Sequence, residues 1–535
     1  MESALLFASG ALALGFVLRA TVRWLQVLYI PAAVLGGIIG LLVLSLTTPP
    51  LFPLDPSFRD ELDRGQVSEA LRTAFANHSI SLSATATCEI EQPDQHWLIE
   101  DDGQRFLIRP DKDRLSIHRI RFGWNAQQIT SELRTWPGWL ISVIFAGLLL
   151  ERPAKSLRQS LKLVARQGIV VWIIIVGEIT VGLIATWLLI RPMYPDLEVP
   201  GSFGQLIETG FAGGHGTAAA MGRVFEKSLE FPDGYDLGFF FATAGLIYGV
   251  ISGIVLVNLA VRRGWTSSGK AQVHRLSGLE SRTDPQPMAL GRVRSEVIDP
   301  FVFQCLILGL AFAVGIGLQW AFMAAISTAL DFLSLSKEAV AETIKHVANL
   351  PLFMFTLMGG LLVREFMSLL KLGDLIDAQS IHRIIGGAME YLIVAAIASM
   401  KLAVLAEYFG PVVILLGLGF VWTGFCLLVV ARRLLPKSYW FELGILNYGM
   451  STGTTAQGMM LLRIVDKDLD SGAAEDYALA APLSAPFIGG GVITLVLLPW
   501  LLQEVSIGLV VLGLLVLMAV LYGAGLMIAT PRSGS

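Results

Sequence analysis

Long apolar runs dictate most of what this chain can become. About eleven stretches are apolar enough for lipid, near 3–19, 28–47, 137–150, 169–190, 237–260, 300–326, 349–363, 385–406, 410–431, 477–500 and 505–529. A helix needs about 20 residues to cross a bilayer. Inside lipid every backbone N–H and C=O must be bonded within the protein, so such runs become helices. Of 535 residues only 15% are charged, against about 25% in soluble domains. The sequence therefore predicts an all-α polytopic membrane protein. The first run starts at Ser3-Ala4 without a basic leader and reads as a retained helix, not a cleaved signal peptide.

Several classes drop out. A net charge of −4 with no basic tract gives no reason to expect nucleic acid. Cys88, Cys305 and Cys426 are too scattered for a disulfide framework or a metal site. No Gly-x-x-x-x-Gly-Lys-Ser/Thr loop and no Ser/His/Asp constellation stands out, so neither ATP drive nor an enzyme is expected.

Lys and Arg concentrate on the cytoplasmic side of membrane proteins. Arg19 and Arg23, the 152–166 cluster, the 262–294 cluster, Arg364 and Lys371, and Arg432, Arg433 and Lys437 follow alternate spans. They place the N-terminus and residues 50–135 outside and the C-terminus inside. Spans one to five and six to ten then form two inverted-topology repeats, with span eleven unpaired. Echoes in the sequence support the pairing. Pro31 precedes Gly40-Leu41-Leu42-Val43 at the separation at which Pro351 precedes Gly360-Leu361-Leu362-Val363, and Asp236 and Asp476 open spans five and ten. The expected organisation is helices one and two in 1–49, an extracytoplasmic α+β insert in 50–135, helices three to five in 136–261, a cytoplasmic linker in 262–298, the second repeat in 299–504, and an extra helix with a tail in 505–535. Within the insert, Ser79–Glu91, His96–Ile99, Arg105–Ile108 and Leu115–Ile120 read as strands, with a turn at Asp101-Asp102-Gly103.

Two segments break the apolar pattern. Gly213-Gly214-His215-Gly216-Thr217-Ala218 lies between spans four and five. Ser451-Thr452-Gly453-Thr454-Thr455-Ala456-Gln457 lies between spans nine and ten. Polar backbone at membrane depth is tolerated where it is buried in protein or lines a cavity. A pair of such interruptions in corresponding halves points to a transport site. Both segments read as re-entrant hairpins, at about 203–222 and 444–464. A helix N-terminus presents unpaired N–H groups to a carboxylate, and a C-terminus presents carbonyls to a cation. Gly213, Gly214, His215, Gly216, Thr217, Ser451, Thr452, Gly453, Thr454, Thr455 and Gln457 are the candidate substrate-binding residues. His215 either donates to substrate, titrates, or ties the hairpin down. Small polar residues also line ordinary helix contacts, which is the competing explanation.

Charges inside spans are costly and mark function by default. Glu178, near the middle of span four, is a candidate ion-coupling residue with Thr243. Glu390 and Lys401 lie about three turns apart in span eight. Lys401 either pairs with Glu178 or meets an anion, and Glu390 reads as snorkelling to the surface. Glu208 is expected near the outer mouth, and Asp236 and Asp476 as helix-start residues.

The run Gly213-Gly214-His215-Gly216-Thr217-Ala218-Ala219-Ala220, followed by Ala242-Thr243-Ala244-Gly245-Leu246, resembles the bacterial sodium/glutamate symporter family. The resemblance spans roughly 1–48 and 137–500 and is strongest at the first motif. It implies sodium as coupling ion, no other cofactor, a homodimer, and elevator-like movement of a transport domain past a scaffold. The second hairpin departs from the family, which carries a Gly-Ala-Thr-Pro-Thr-Ala type run where Thr452-Gly453-Thr454-Thr455-Ala456 stands. Ser252-Gly253-Ile254 replaces a Gly-Gly-Pro run, and the insert and span eleven are additions. The expectation is a sodium-coupled importer of glutamate or a similar small carboxylate in a bacterial cytoplasmic membrane. The alternatives are a proton-coupled or exchange transporter of another organic anion, and a transporter-like membrane sensor.

Overall fold

The computed structural model describes residues 2–27, 30–47, 50–62, 67–77, 80, 82–83, 86–91, 96–101, 104–111, 114–120, 126–150, 161–266, 299–332, 352–466, 471–484 and 487–529. Most of the expected linker, the turn at 102–103 and Pro351 lie outside the described residues. Among the described residues, eight helices are long and apolar enough to cross a membrane. The first half contributes α1 (Glu2–Thr21), α2 (Ala32–Thr47), α3 (Ala126–Leu148), α4 (Leu161–Ala185), α5 (Leu206–Gly210), α6 (Gly214–Lys227) and α7 (Asp233–Arg263). The second half contributes α8 (Pro300–Phe332), α9 (Leu352–Leu369), α10 (Ala378–Ala398), α11 (Phe409–Phe425), α12 (Trp440–Met450), α13 (Thr455–Val465), α14 (Ala473–Ser484), α15 (Leu498–Glu504) and α16 (Ile507–Ala529). The eight are α1, α4, α7, α8, α9, α10, α11 and α16, with α4 and α11 counted with their continuations.

Local chemistry sets the helix ends. Asp299 caps α8 by accepting from the amides of Phe301 and Val302 at 2.9 and 3.1 Å, and Pro300 takes the first helical position, where no N–H is needed. Asp377 caps α10 through Gln379 and Ser380. Gly264, at φ 65°, closes α7 in the left-handed conformation. The ends of α4 and α11 match. Each passes into a π-helical turn, Thr186–Ile190 or Cys426–Ala431, and then into a three-residue helical segment that opens on Arg191 or Arg432.

The chain does not pack half against half. One bundle takes α1, α2 and α3 from the first half with α8, α9 and α10 from the second: α1 lies on α2, α2 on α10, α10 on α3, α3 on α9, and α9 on α8. The other gathers α4, α5, α7, α11, α12, α13, α14 and α16, while α6 packs on α7 and reaches across to α3 and α10. Small residues allow the close approaches. A Cβ on Gly40 of α2 would lie 2.9 Å from Cβ of Ala398 at the end of α10. On the other pair, Gly360 of α9 abuts the carbonyl of Ala146 near the end of α3. Both echoed glycines thus sit at close crossings between a helix of one half and a helix of the other.

Two expected spans are interrupted. Span eight ends at Ala398, and Ser399, Met400 and Lys401 lead into a separate helix, Leu402–Glu407. Span ten breaks after α14 at a turn containing Gly489 and Gly490, both at positive φ, before a π-helical turn, Ile493–Leu497, and α15. Outside the bundles, Pro50–Leu54, Thr87–Glu91, His96–Asp101, Gln104–Asp111 and Arg114–Ile120 are strands β1 to β5 of one antiparallel sheet, ordered β1-β5-β4-β3-β2. Alternate side chains Trp97, Ile99, Phe106, Ile108, Leu115 and Ile117 form its buried face. The helix Glu69–Ala76 covers that face with Leu71 and Phe75. Among the described residues of the expected strand at Ser79–Glu91, the strand is β2, and β1 was not foreseen because its two prolines disguise a strand.

Candidate functional site

The two Gly-rich turns meet. Gly214 opens α6 at φ +59°, and a Cβ there would collide with the carbonyl of Gly453, which lies just before α13. Thr452 packs on α7, where a Cβ on Gly245 would come within 2.7 Å of its carbonyl. The N-termini of α6 and α13 therefore face one region deep in the protein. The first amides of each helix have no acceptor inside it, so the region offers N–H donors and the positive ends of two helix dipoles.

Several candidate side chains spend their hydroxyls locally. Thr217 donates to the Gly489 carbonyl at 3.2 Å, and Ser451 and Thr452 donate to Tyr448 at 3.2 and 2.8 Å. Thr454 caps α13 by accepting from the Gln457 amide, and Thr455 bonds the Tyr477 hydroxyl at 3.0 Å. Thr243 donates to the Phe239 carbonyl, so His215 Nε2 donates to Thr243 Oγ1 at 3.1 Å. That leaves His215 Nδ1 buried without a hydrogen-bond partner among the described residues, as is Gln457 Oε1. Gly213 and Gly216 pack on Thr217 and Ile141.

Behind the turns lie two fully buried carboxylates. Gly182 of α4 and Gly204 stand backbone to backbone, which brings Glu178 alongside Glu208 of α5. Glu208 Oε1 accepts from the Gly489 amide at 3.1 Å and from Thr494 Oγ1 at 2.9 Å, while Oε2 has no partner. Both oxygens of Glu178 lack a hydrogen bond. The Ala212 amide and Glu208 act on it without closing one of ordinary geometry, and no cationic side chain does so among the described residues. Glu208 is thus a buried partner of Glu178 and not a residue of an outer mouth. Lys401 does not meet Glu178: its side chain is exposed beyond the end of α10.

The Lys401 amide instead donates to Asp236 Oδ1 at 3.0 Å. Asp236, 1% exposed, accepts a two-pronged bond from Arg134 of α3 at 3.0 and 2.8 Å. The guanidinium lies 4.5 Å from the Tyr235 ring centre. This cluster fastens α7 of one bundle to α3 and the end of α10 of the other. Asp236 is therefore an ion-pair residue, where the sequence reading saw only the start of a helix.

Further toward the start of α10 the bundles part around a cavity of about 640 Å3. Ser9, Arg19 and Glu390 line it from the first bundle, and Thr454, Ala456 and Gln457 from the second. Arg19 and Glu390 were missed as site residues because hydropathy places each near a span end or surface. The usable signal was a lone acid inside span eight. Arg134 was hidden beside an apolar run, whereas Gly489-Gly490-Gly491 was visible in the sequence but embedded between apolar neighbours. No family model, no curated protein and no solved structure matches this chain.

Proposed function

We propose that this protein is a secondary transporter, related to the sodium/glutamate symporters, that imports glutamate or a similar small carboxylate together with sodium across a bacterial cytoplasmic membrane. The observation that carries the reading is the junction of Gly214 with Gly453, which aims two helix N-termini at one buried region. An anion there gains hydrogen bonds and dipole stabilisation that water would otherwise supply. The matching π-helical turns and the Gly40–Ala398 and Gly360–Ala146 crossings support two inverted repeats with re-entrant hairpins. The interleaved bundles fit a scaffold and a moving domain in each copy of a homodimer.

Movement between the bundles alternates access. The Arg134–Asp236 cluster closes one side while the cavity opens the other. With the N-terminus outside, the cavity faces the cytoplasm. Glu178 and Glu208 hold the coupling ion. Two buried carboxylates without a cation carry a desolvation cost of several kcal/mol, and the ion relieves it. Coupling follows when the ion-loaded carrier binds solute more tightly, and solute likewise the ion.

Uptake into proteoliposomes by wild-type protein and by Gly214→Leu tests the hairpin junction. The variant should be folded yet inactive; uptake at the wild-type rate removes the proposal. The same two carboxylates favour a second reading in which a proton replaces sodium. Uptake driven by a proton gradient in sodium-free buffer would select it.

A further inference from the structure

We infer that the cavity between the bundles takes a solute of no net charge, an α-amino acid with an apolar side chain, and not a dicarboxylate. The inference rests on the transport reading and, among the small carboxylates that reading allows, excludes glutamate. A volume of about 640 Å3 falls within the roughly 300–1,000 Å3 of small-molecule sites.

Among the described residues, the charged side chains of the lining are one cation, Arg19, and one anion, Glu390. They feel each other electrostatically, yet among the described residues Arg19 Nε and Glu390 Oε2 are both buried without a hydrogen-bond partner. Neither is spent on the other. A buried polar atom left unpaired costs about 1–3 kcal/mol. One ligand carrying both a carboxylate and an ammonium offers each of the two lining charges its counter-charge at once.

The second bundle completes the arrangement. The first turn of α13, at Thr454, Ala456 and Gln457, lines the same cavity. Its open amides suit the carboxylate, and Gln457 adds a polar side chain to the same lining. Leu12, Phe16, Leu246, Val250 and Met460 make up an apolar wall. That wall accepts an aliphatic or aromatic side chain. A second carboxylate would face it without a partner, beside Glu390, and would leave the cavity with a net negative charge. Because Arg19 and Glu390 belong to one bundle and Gln457 to the other, the ligand also bridges the parts that move.

The test is equilibrium binding of labelled leucine to the full-length protein in nanodiscs. Phenylalanine, methionine, glutamate and 4-methylpentanoate, which is leucine without its ammonium, serve as competitors. Saturable leucine binding is expected, displaced by phenylalanine and methionine. 4-Methylpentanoate, which loses one charge-assisted contact, and glutamate, which buries an unpaired carboxylate, should each compete at least about tenfold less well. Glu390→Gln should weaken leucine by a similar factor. Ala456→Trp, which fills the cavity from an exposed position, should abolish binding with an unchanged gel-filtration profile. Glutamate binding as well as or better than leucine overturns the inference and leaves the transport reading standing. Absence of leucine binding by folded wild-type protein overturns it too, and solute uptake then judges the transport reading separately.

Discussion

Asp236 shows what a single buried charge requires in this molecule. Its carboxylate is 1% exposed and is held by Arg134 and the Lys401 amide. Removing one partner of a buried pair strands the other charge and costs about 3–5 kcal/mol. Arg134→Ala should therefore lower the unfolding midpoint in detergent sharply, and Asp236→Asn in the same background should restore much of the loss. A single-variant change within noise would show that the pair does not fasten the bundles. Glu178 makes the opposite case. It is buried with neither oxygen bonded among the described residues, and no cationic side chain there offsets its charge. Glu178→Gln should leave the midpoint unchanged or raised while sodium ceases to stimulate uptake. A destabilised variant that keeps its sodium response would contradict the ion role.

Individual elements explain why some of this was legible and some was not. Periodicity and span length located most membrane helices because lipid forces backbone bonds inside each segment. They overlooked the breaks at Ser399–Lys401 and at Gly489–Gly490, since hydropathy averages side chains and a break is a main-chain event. The Gly-rich turns were legible as interruptions, but not as neighbours: nothing local in the sequence says that Gly214 abuts Gly453. Nor did it show that Thr454 would be used as a cap and Thr452 to bond its own helix. Between α4 and α12 the structure places another link of this hidden kind. Gln167 and Asn447 exchange two amide hydrogen bonds, at 2.5 and 2.9 Å, inside the core. Asn447→Leu should cost about 1–3 kcal/mol by leaving Gln167 unsatisfied, read as a lower denaturation midpoint. At Gly214 even alanine is doubly opposed, by the positive φ and by the Gly453 carbonyl. Gly214→Ala should reduce uptake with little change in the amount of folded protein.

For the molecule as a whole, the two halves of the chain interleave and do not stand side by side. Helices from both halves build each bundle, and the cavity lies where the bundles separate. In a background with Cys88, Cys305 and Cys426 replaced by serine, Ala456→Cys should react with a membrane-permeant maleimide and be protected by transported solute. Protein that reacts equally with and without solute would place the site elsewhere. The decisive observation is accumulation in proteoliposomes. Labelled glutamate and leucine should each be offered under an inward sodium gradient, an inward proton gradient and no gradient. Concentration of one of them above the external level, abolished when the sodium gradient is dissipated, is the expected result. Folded protein that concentrates neither solute under any gradient would contradict the transport reading.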